Sequence, residues 1–132
     1  MDTWAPSNQK QEDVLLKEYL DQVGGLAYME VLVGDMPSRS RRRLDAVRIP
    51  ARAGEGSERL RYRDGERQKF LDRCREAPYV EVIEVKNQLA PWVVGQVHIG
   101  RLLLTKDIRS ATTKVRPVVV MGNQTQEPAQ VR

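Results

Sequence analysis

Residues 79–86 have the sequence YVEVIEVK, which is the clearest strand signal in the chain. β-Branched residues dominate this stretch, and they favour a pleated sheet. Because successive side chains of a strand point to opposite faces, Glu84 and Lys86 share one face while Glu81 points to the other. A carboxylate and an ammonium group buried together are costly unless they pair or take part in chemistry. We therefore expect a functional site at Glu84 and Lys86, with Glu81 exposed to solvent.

Further elements are predicted on both sides of this strand from hydrophobic periodicity and from glycine and proline positions. Gly24 and Gly25 end a first helix, Pro50 ends a strand, and Pro117 is typical of an edge strand or a strand start. The segment 51–63 is rich in glycine and arginine and is predicted to be a loop. The remaining pattern predicts helices over 11–22, 65–76 and 90–104, and strands over 26–33, 42–49 and 115–121.

This order of elements predicts a single α/β domain with a mixed four-stranded sheet and helices on its faces. The connection from strand 79–86 through the last helix is long enough for a right-handed crossover to a parallel strand. Residues 1–10 are polar and are expected to form a flexible N-terminus. Residues 122–132 are polar and contain proline, so a disordered tail is expected there. The folded domain is then expected to span 11–121.

Length and composition exclude several classes of protein. A chain of 132 residues with 40% apolar and 30% charged residues fits one domain with a single core. No apolar stretch approaches the length of a membrane span, and the N-terminus lacks the basic and apolar regions of a signal peptide. Cys74 is the only cysteine, which excludes an intrachain disulfide and a cysteine-based zinc site. We expect a cytoplasmic protein with no membrane partner.

The positive charge is concentrated in one part of the chain. Residues 39–75 contain twelve arginines and one lysine against six acids, a net charge of +7, whereas the whole chain carries +4. Arginine forms paired hydrogen bonds with phosphate, so this stretch is expected to bind a nucleic-acid backbone. Tyr62 is expected either to stack on a nucleobase or to anchor the surrounding segment. The candidate nucleic-acid contacts are Arg39, Arg41, Arg42, Arg43, Arg61, Tyr62 and Arg63.

Two acids and a lysine form a candidate catalytic site. Asp45, in the strand 42–49, and Glu84 can supply the carboxylate oxygens that Mg²⁺ or Mn²⁺ prefers, and the backbone carbonyl of Val85 can add a third oxygen. Lys86 can hold an attacking water or stabilise negative charge that develops during hydrolysis. The simpler interpretation of any single Glu-X-Lys pair is two charged residues on the wet face of an edge strand.

The placement of these residues resembles the PD-(D/E)XK nuclease superfamily, which includes RecB-type nucleases and Holliday-junction resolvases. Members have a restriction-endonuclease-like αβββαβ core, with an Asp on the second strand and Glu/Asp-X-Lys on the third. Asp45 and Glu84-Val85-Lys86 match those positions if 51–78 is a helical insertion between strands 2 and 3, outside the core. Many members carry a glutamine on the following helix, which Gln96 resembles. Some carry an acid on the first helix, for which the candidates are Glu12, Asp13 and Glu18.

The resemblance implies a Mg²⁺- or Mn²⁺-dependent deoxyribonuclease with Asp45, Glu84, Lys86 and Gln96 as catalytic residues. Asp45, Glu84 and Val85 would hold the metal. The expected partner is DNA, with an endonuclease or exonuclease activity that is structure-specific or belongs to repair, recombination or defence. A homodimer or a larger nucleoprotein complex is also implied. The alternatives are a non-catalytic nucleic-acid-binding or assembly module that keeps the nuclease fold, a subunit that cuts only when assembled, and an RNA-directed domain of another α/β fold.

Overall fold

The computed structural model describes residues 10–34, 42–51, 56–86 and 91–122. Within these ranges the chain forms three α-helices and five strands, and a 3₁₀ turn at Asp64–Glu66 leads into the second helix. The elements in chain order are α1 Lys10–Val23, β1 Gly25–Val33, β2 Arg42–Ile49, β3 Ser57–Arg61, α2 Arg67–Glu76, β4 Tyr79–Lys86, α3 Pro91–Ile108 and β5 Lys114–Met121.

The five strands form one mixed sheet in the order β3-β1-β2-β4-β5. β2 is antiparallel to both β1 and β4, whereas β1 and β3 are parallel and β4 and β5 are parallel. Four strands therefore end at the same side of the sheet, at Val33, Arg61, Lys86 and Met121. We call this side the carboxyl edge.

Both faces of the sheet are covered, which explains why six successive residues of β4, Val80–Val85, are buried. On one face α1 packs through Leu16 and Leu20 onto Ala27, Met29, Ala46, Ile83 and Val85. On the other face α2 and α3 supply Phe70, Leu71, Cys74, Val97, Leu104 and Ile108 to the larger cluster. β4 is thus an internal strand of the sheet that is covered on both faces.

Two glycines allow close approaches that a side chain would prevent. Gly25 has a φ of +99°, and the carbonyl oxygen of Ile49 stands where a Cβ would be placed. Its N–H donates to the carbonyl of Gly56 at 3.2 Å, so the start of β1 lies against both neighbouring strands. Gly100 of α3 lies on the sheet, and a Cβ there would be 2.5 Å from Cδ2 of Leu44.

The predicted α/β class and the predicted helices and strands are confirmed, with two corrections. The sheet has five strands rather than four, because residues 57–61, which were expected in a loop, form β3 beside β1. The segment 51–78 was expected outside the core, but Phe70, Leu71 and Cys74 are buried in the larger cluster. The physical reason is that α2 covers the part of the sheet that α3 leaves open.

Glu81 was expected at the surface and is buried instead. Its carboxylate accepts hydrogen bonds from Nε of Arg48 at 2.8 Å and from the hydroxyl of Tyr19 at 2.7 Å. Arg48 is 3% exposed and also donates to the carbonyl of Gly24 at the end of α1. Charges buried this deeply need a partner, so these bonds join α1, β2 and β4.

The chain termini fall almost entirely outside the described ranges. Of the expected flexible N-terminus, 1–10, only Lys10 is described, as the first residue of α1. Of the expected disordered tail, 122–132, only Gly122 is described, and its N–H donates to the carbonyl of Lys86 at 2.9 Å. None of the helices within the described ranges is long and apolar enough to cross a membrane.

Candidate active site

The strands β2 and β4 separate towards the carboxyl edge, and the candidate residues lie where they part. The ladder between them consists of Ala46–Ile83, Val47–Val82 and Arg48–Glu81, and the next residues towards the edge are Asp45 and Glu84. Oδ2 of Asp45 accepts a hydrogen bond from the N–H of Val85 at 2.8 Å, in place of a backbone carbonyl. We call the opening lined by Asp45, Glu84 and Val85 the strand gap.

The backbone of Val85 turns both of its polar groups towards the strand gap. The N–H and C=O of one strand residue point to the same side of the strand, and those of the next residue point to the other side. The N–H of Val85 meets Asp45 on the β2 side, whereas the carbonyl of Lys86 accepts from Gly122 on the β5 side. The carbonyl of Val85 therefore faces the strand gap, where the ladder offers it no partner.

A kink in β1 and β2 explains why Asp45 points into the strand gap. Met29 packs in the cluster under α1, but Val31, two residues later, packs in the cluster under α2 and α3. Residues two apart on a regular strand share a face, so β1 changes face at Glu30, whose φ is +56°. Leu44 and Ala46 change face in the same way on β2. The residue between them is Asp45.

Glu84 is 6% exposed and lies against the carboxylate of Asp45. Burial raises the pKa of Glu84 to about 8, and the charge of Asp45 and a hydrogen bond with it act in the same direction. Arg42 and Lys86 oppose this rise. Burial and the neighbouring carboxylate of Asp45 thus favour the protonated form of Glu84.

Of the three candidate acids of α1, Glu12 is the one whose ionisation is coupled to Asp45 and Lys86. It lines a pocket of about 40 Å³ together with Glu30, Asp45 and Val85. Burial raises the pKa of Glu12, while the charge of Lys86 lowers it and that of Asp45 raises it. Asp13 also lines the pocket but forms an ion pair with Arg59, and Glu18 is exposed.

Gln96 lies on the side of α3 that packs on the sheet. It falls in the helical stripe of the buried residues Val93, Val97 and Gly100, three residues after the first and four before the last. Its Oε1 atom is buried and has no hydrogen-bond partner. Glu84 and Lys86 belong by strand alternation to the same face as Val82, which packs in the cluster under α3. By this assignment, Gln96 and the side chain of Glu84 lie on the same side of the sheet.

The predicted arginines divide into three groups. Arg42 and Arg43 begin β2 beside the strand gap; Arg42 is half-buried, with a buried Nε that lacks a partner, and Arg43 lies 3.6 Å from Glu30. Arg61, the last residue of β3, and Arg63, two residues later, are exposed. Arg39 and Arg41 lie outside the described residues.

Tyr62 was expected either to stack on a nucleobase or to anchor the surrounding segment, and its contacts fit the second role. It is 7% exposed, its ring packs edge-on against Phe70 at 5.4 Å, and its hydroxyl donates to Asp64 at 2.9 Å. A ring held in this way cannot present its face to a nucleobase, so Tyr62 anchors the segment between β3 and α2.

The strand gap can supply oxygen ligands to a hard cation. Within the described residues, no group of three His, Cys, Asp or Glu side chains is placed to hold a metal ion. Asp45 and Glu84 offer two carboxylates, and the third oxygen would be the carbonyl of Val85. Mg²⁺ commonly binds one or two carboxylates and keeps several waters, so this set fits it. A divalent cation bound there would favour the ionised form of Glu84 and so oppose the effects of burial and of Asp45 on its pKa.

Glu12, Glu30 and Arg42 are site residues to which sequence reasoning assigned no definite role in metal binding or catalysis. Glu12 was detectable, because it precedes the buried Leu16 and Leu20 at intervals of four and so belongs to the sheet-facing stripe of α1. The left-handed backbone conformation of Glu30 could not be predicted from the sequence, because glycine and, less often, asparagine are the residues that indicate this conformation.

Comparisons of the chain with protein-family models, with curated proteins and with solved structures find no match. Its function is therefore inferred from the chemistry of the strand gap and from the distribution of charge around it.

Proposed function

We propose that the chain is a Mg²⁺- or Mn²⁺-dependent deoxyribonuclease of the PD-(D/E)XK type. The observation that carries this proposal is the strand gap, in which the Asp45 carboxylate meets Glu84 and the backbone of Val85. The order of elements supports it. With β3 and α2 set aside as additions, α1, β1, β2, β4, α3 and β5 follow one another as αβββαβ.

Each residue of the site has a role in phosphodiester hydrolysis that its surroundings support. Asp45, Glu84 and the carbonyl of Val85 would hold the metal, which supplies charge to neutralise the scissile phosphate and a water of lowered pKa. The ammonium group of Lys86 acts on both Glu84 and Glu12, so it is placed to hold the attacking water between the two faces of the gap. It would also stabilise negative charge that builds up on the phosphate.

Gln96 and the arginines of β2 would position the substrate. The unpartnered Oε1 of Gln96 accepts a hydrogen bond from the attacking water or from Lys86, which satisfies a buried acceptor that now lacks a donor. Arg42 and Arg43 stand at the mouth of the strand gap and would contact the phosphates beside the scissile one. A nucleic-acid substrate is favoured because the whole stretch that surrounds Asp45 is strongly basic, and DNA is the nucleic acid that the resemblance to this nuclease type implies.

The test is cleavage of labelled duplex, single-stranded and four-way-junction DNA in Mg²⁺, Mn²⁺ or EDTA. We expect metal-dependent cutting by the wild type, and a loss of at least about a hundredfold in Asp45→Asn, Glu84→Gln and Lys86→Met. Lys106→Met is the matched control, because Lys106 is an exposed lysine in the last turn of α3. Cutting that survives in the first three variants, or that EDTA does not stop, contradicts the proposal.

A non-catalytic nucleic-acid-binding module is the second candidate function. It is favoured by the finding that no three acidic, histidine or cysteine side chains converge on a metal position among the described residues. Such a module would bind DNA in EDTA and leave every substrate intact. Its binding would fall steeply with salt but would be unchanged in Asp45→Asn, whereas a metal enzyme would bind its substrate more tightly in the presence of Ca²⁺ or Mg²⁺.

A further inference from the structure

A second concentration of positive charge lies on the face of the sheet that α2 covers, beside the edge strand β3. Tyr28 forms the floor of a groove of about 210 Å³, and Arg61, Arg63, Lys69 and Arg73 stand around it with one acid, Glu66. The side chains that line the groove therefore carry a net charge of +3. We call this set of residues the basic groove.

The fold holds these side chains in place through the core beneath them. Phe70 and Cys74 of α2 are buried, and Phe70 packs edge-on against Tyr28 with ring centroids 4.9 Å apart. This contact turns Lys69 and Arg73, which are four residues apart, along one side of α2 towards the groove. On the opposite side Arg61 ends β3, which is fixed to β1 by the pairing of Arg61 with Met29.

The basic groove and the strand gap open at the same edge of the sheet. Arg61 ends β3 at the carboxyl edge, and Met29, its partner in β1, also lines the pocket beside Asp45. Three strand spacings separate β4 from β3, which is about 14 Å. Along one strand of a duplex that distance corresponds to about four phosphates. A nucleic acid that is cut in the strand gap would therefore reach the basic groove, around the β1–β3 side of the sheet, about four phosphates from the scissile bond.

We propose that the basic groove binds the phosphodiester backbone of the substrate at a distance from the scissile bond. The choice of nucleic acid as the ligand rests on the proposed function, because the groove itself recognises only a row of phosphates. Tyr28 is buried beneath its basic rim and offers no exposed ring face, so the contact is with the backbone and not with bases. The groove would thus increase affinity for long substrates without selecting sequence.

The test compares Arg63→Glu/Lys69→Glu with Lys106→Glu/Lys114→Glu, which makes the same change in net charge at exposed lysines outside the groove. Binding of a labelled 30-base-pair duplex is measured by anisotropy in EDTA at several salt concentrations. We expect the groove variant to bind at least about tenfold more weakly at low salt, and its salt slope to fall by about two. The control variant is expected to change affinity by no more than about threefold.

Cleavage in Mn²⁺ separates this inference from the proposed function. Bis(p-nitrophenyl) phosphate, a small phosphodiester that cannot span both sites, should be cut equally well by both variants, whereas the KM for the 30-base-pair duplex should rise only in the groove variant. If nothing is cut but the groove variant still loses affinity selectively, the proposed function fails and the groove stands. If DNA is cut and both double variants bind alike, the groove assignment is overturned. Arg63→Gln/Lys69→Gln, with a melting curve equal to that of the wild type, replaces the reversed charges if those prevent folding.

Discussion

Glu84 links the ionisation of the strand gap to the stability of the fold. The raised pKa means that the folded protein keeps this proton until about pH 8, whereas the unfolded chain releases it near the ordinary value of 4.5. The folded state therefore binds more protons over that interval, and its stability falls as the pH rises through it. The contribution is fully present below the unfolded pKa and is lost at and above the folded pKa.

We expect Glu84→Gln to remove this pH dependence. In EDTA at pH 8 the variant should exceed the wild type in free energy of unfolding by on the order of 1–2 kcal/mol, after allowance for water at the open side of the gap. At pH 5 the two proteins should be nearly equal. Urea denaturation at both pH values measures the difference, and parallel pH profiles for the two proteins would show that Glu84 ionises normally.

Under the proposed function, Gln96 is a side chain kept for catalysis at some cost to stability. Replacement by methionine preserves the length of the side chain and removes the unpartnered buried oxygen, so Gln96→Met should leave the free energy of unfolding unchanged or raise it by up to about 1 kcal/mol. Cleavage should fall at least about tenfold in kcat. Gln22→Met, at an exposed position of α1, is the control, and a Gln96 variant that loses stability but keeps full activity would assign this residue to packing alone.

Individual site residues were predictable from the sequence to different degrees. The alternation of β4 assigns Glu84 and Lys86 to the face of Val82, and the structure places Glu84 against Asp45. The same alternation separates Glu81 from them, but it does not say whether the second face is covered. Because α1 lies on that face, Glu81 is buried, and its partner Arg48 is thirty-three residues distant in sequence. Such pairing has no local signal.

At the level of elements, the contact between α3 and the sheet controls the position of Asp45. A Cβ on Gly100 would meet Cδ2 of Leu44 at 2.5 Å and Cγ1 of Val82 at 3.3 Å, and Leu44 precedes Asp45. Leu44 is fully buried and has little room to yield. We expect Gly100→Ala to lower the free energy of unfolding by about 1–3 kcal/mol and to reduce cleavage through displacement of β2.

Gly95→Ala is the matched control for this change, because a Cβ on Gly95 of the same helix meets open space. It should stabilise α3 by about 0.5–1 kcal/mol through helix propensity and leave the sheet contact intact. Thermal denaturation of the two variants distinguishes them directly. Equal shifts in the same direction would mean that α3 does not pack as closely on β2 as the structure indicates.

The unexpected strand β3 and the later end of α3 both have physical causes. β3 has the sequence SERLR, in which Leu60 is the only apolar residue. Neither hydrophobic periodicity nor composition therefore indicates a strand there. An edge strand gains its stability from backbone pairing with β1, which is independent of side-chain type. α3 continues to Ile108 instead of ending near 104, because Asp107 is buried and accepts bonds from the N–H of Gly34 at 2.8 Å and from Arg67.

At the scale of the whole molecule, the buried ion pair between Arg48 and Glu81 affects the free energy of unfolding. Removal of one partner leaves an uncompensated charge in the core, so Glu81→Gln should lower the free energy of unfolding by about 3–5 kcal/mol. The double variant Arg48→Met/Glu81→Gln should recover part of that loss. Denaturant titrations of the two single variants and the double variant yield the coupling energy, and strict additivity would show that the pair contributes nothing.

Apart from β3, the order of helices and strands, and hence the α/β class, followed from local patterns along the chain. Which helices and side chains cover each face of the sheet could not be predicted in this way, because it depends on contacts between elements far apart in sequence. Whether 51–78 lay inside or outside the core was such a question, and Phe70 decides it by packing under β1. The kink at Glu30 and Asp45, which opens the strand gap, is likewise a property of two paired strands.

The hydrogen bond from Val85 to Asp45 gives the molecule an internal spectroscopic reporter. A backbone amide that donates to a carboxylate is sensitive to the charge on that carboxylate, because charge-assisted hydrogen bonds are shorter and stronger than neutral ones. The ¹H–¹⁵N cross-peak of Val85 should therefore move as Glu84 titrates and move again when Mg²⁺ is added. The cross-peak of Ile83, in the regular ladder with Ala46, should stay in place. The charge state of the strand gap would then be visible at a single amide, without a substrate.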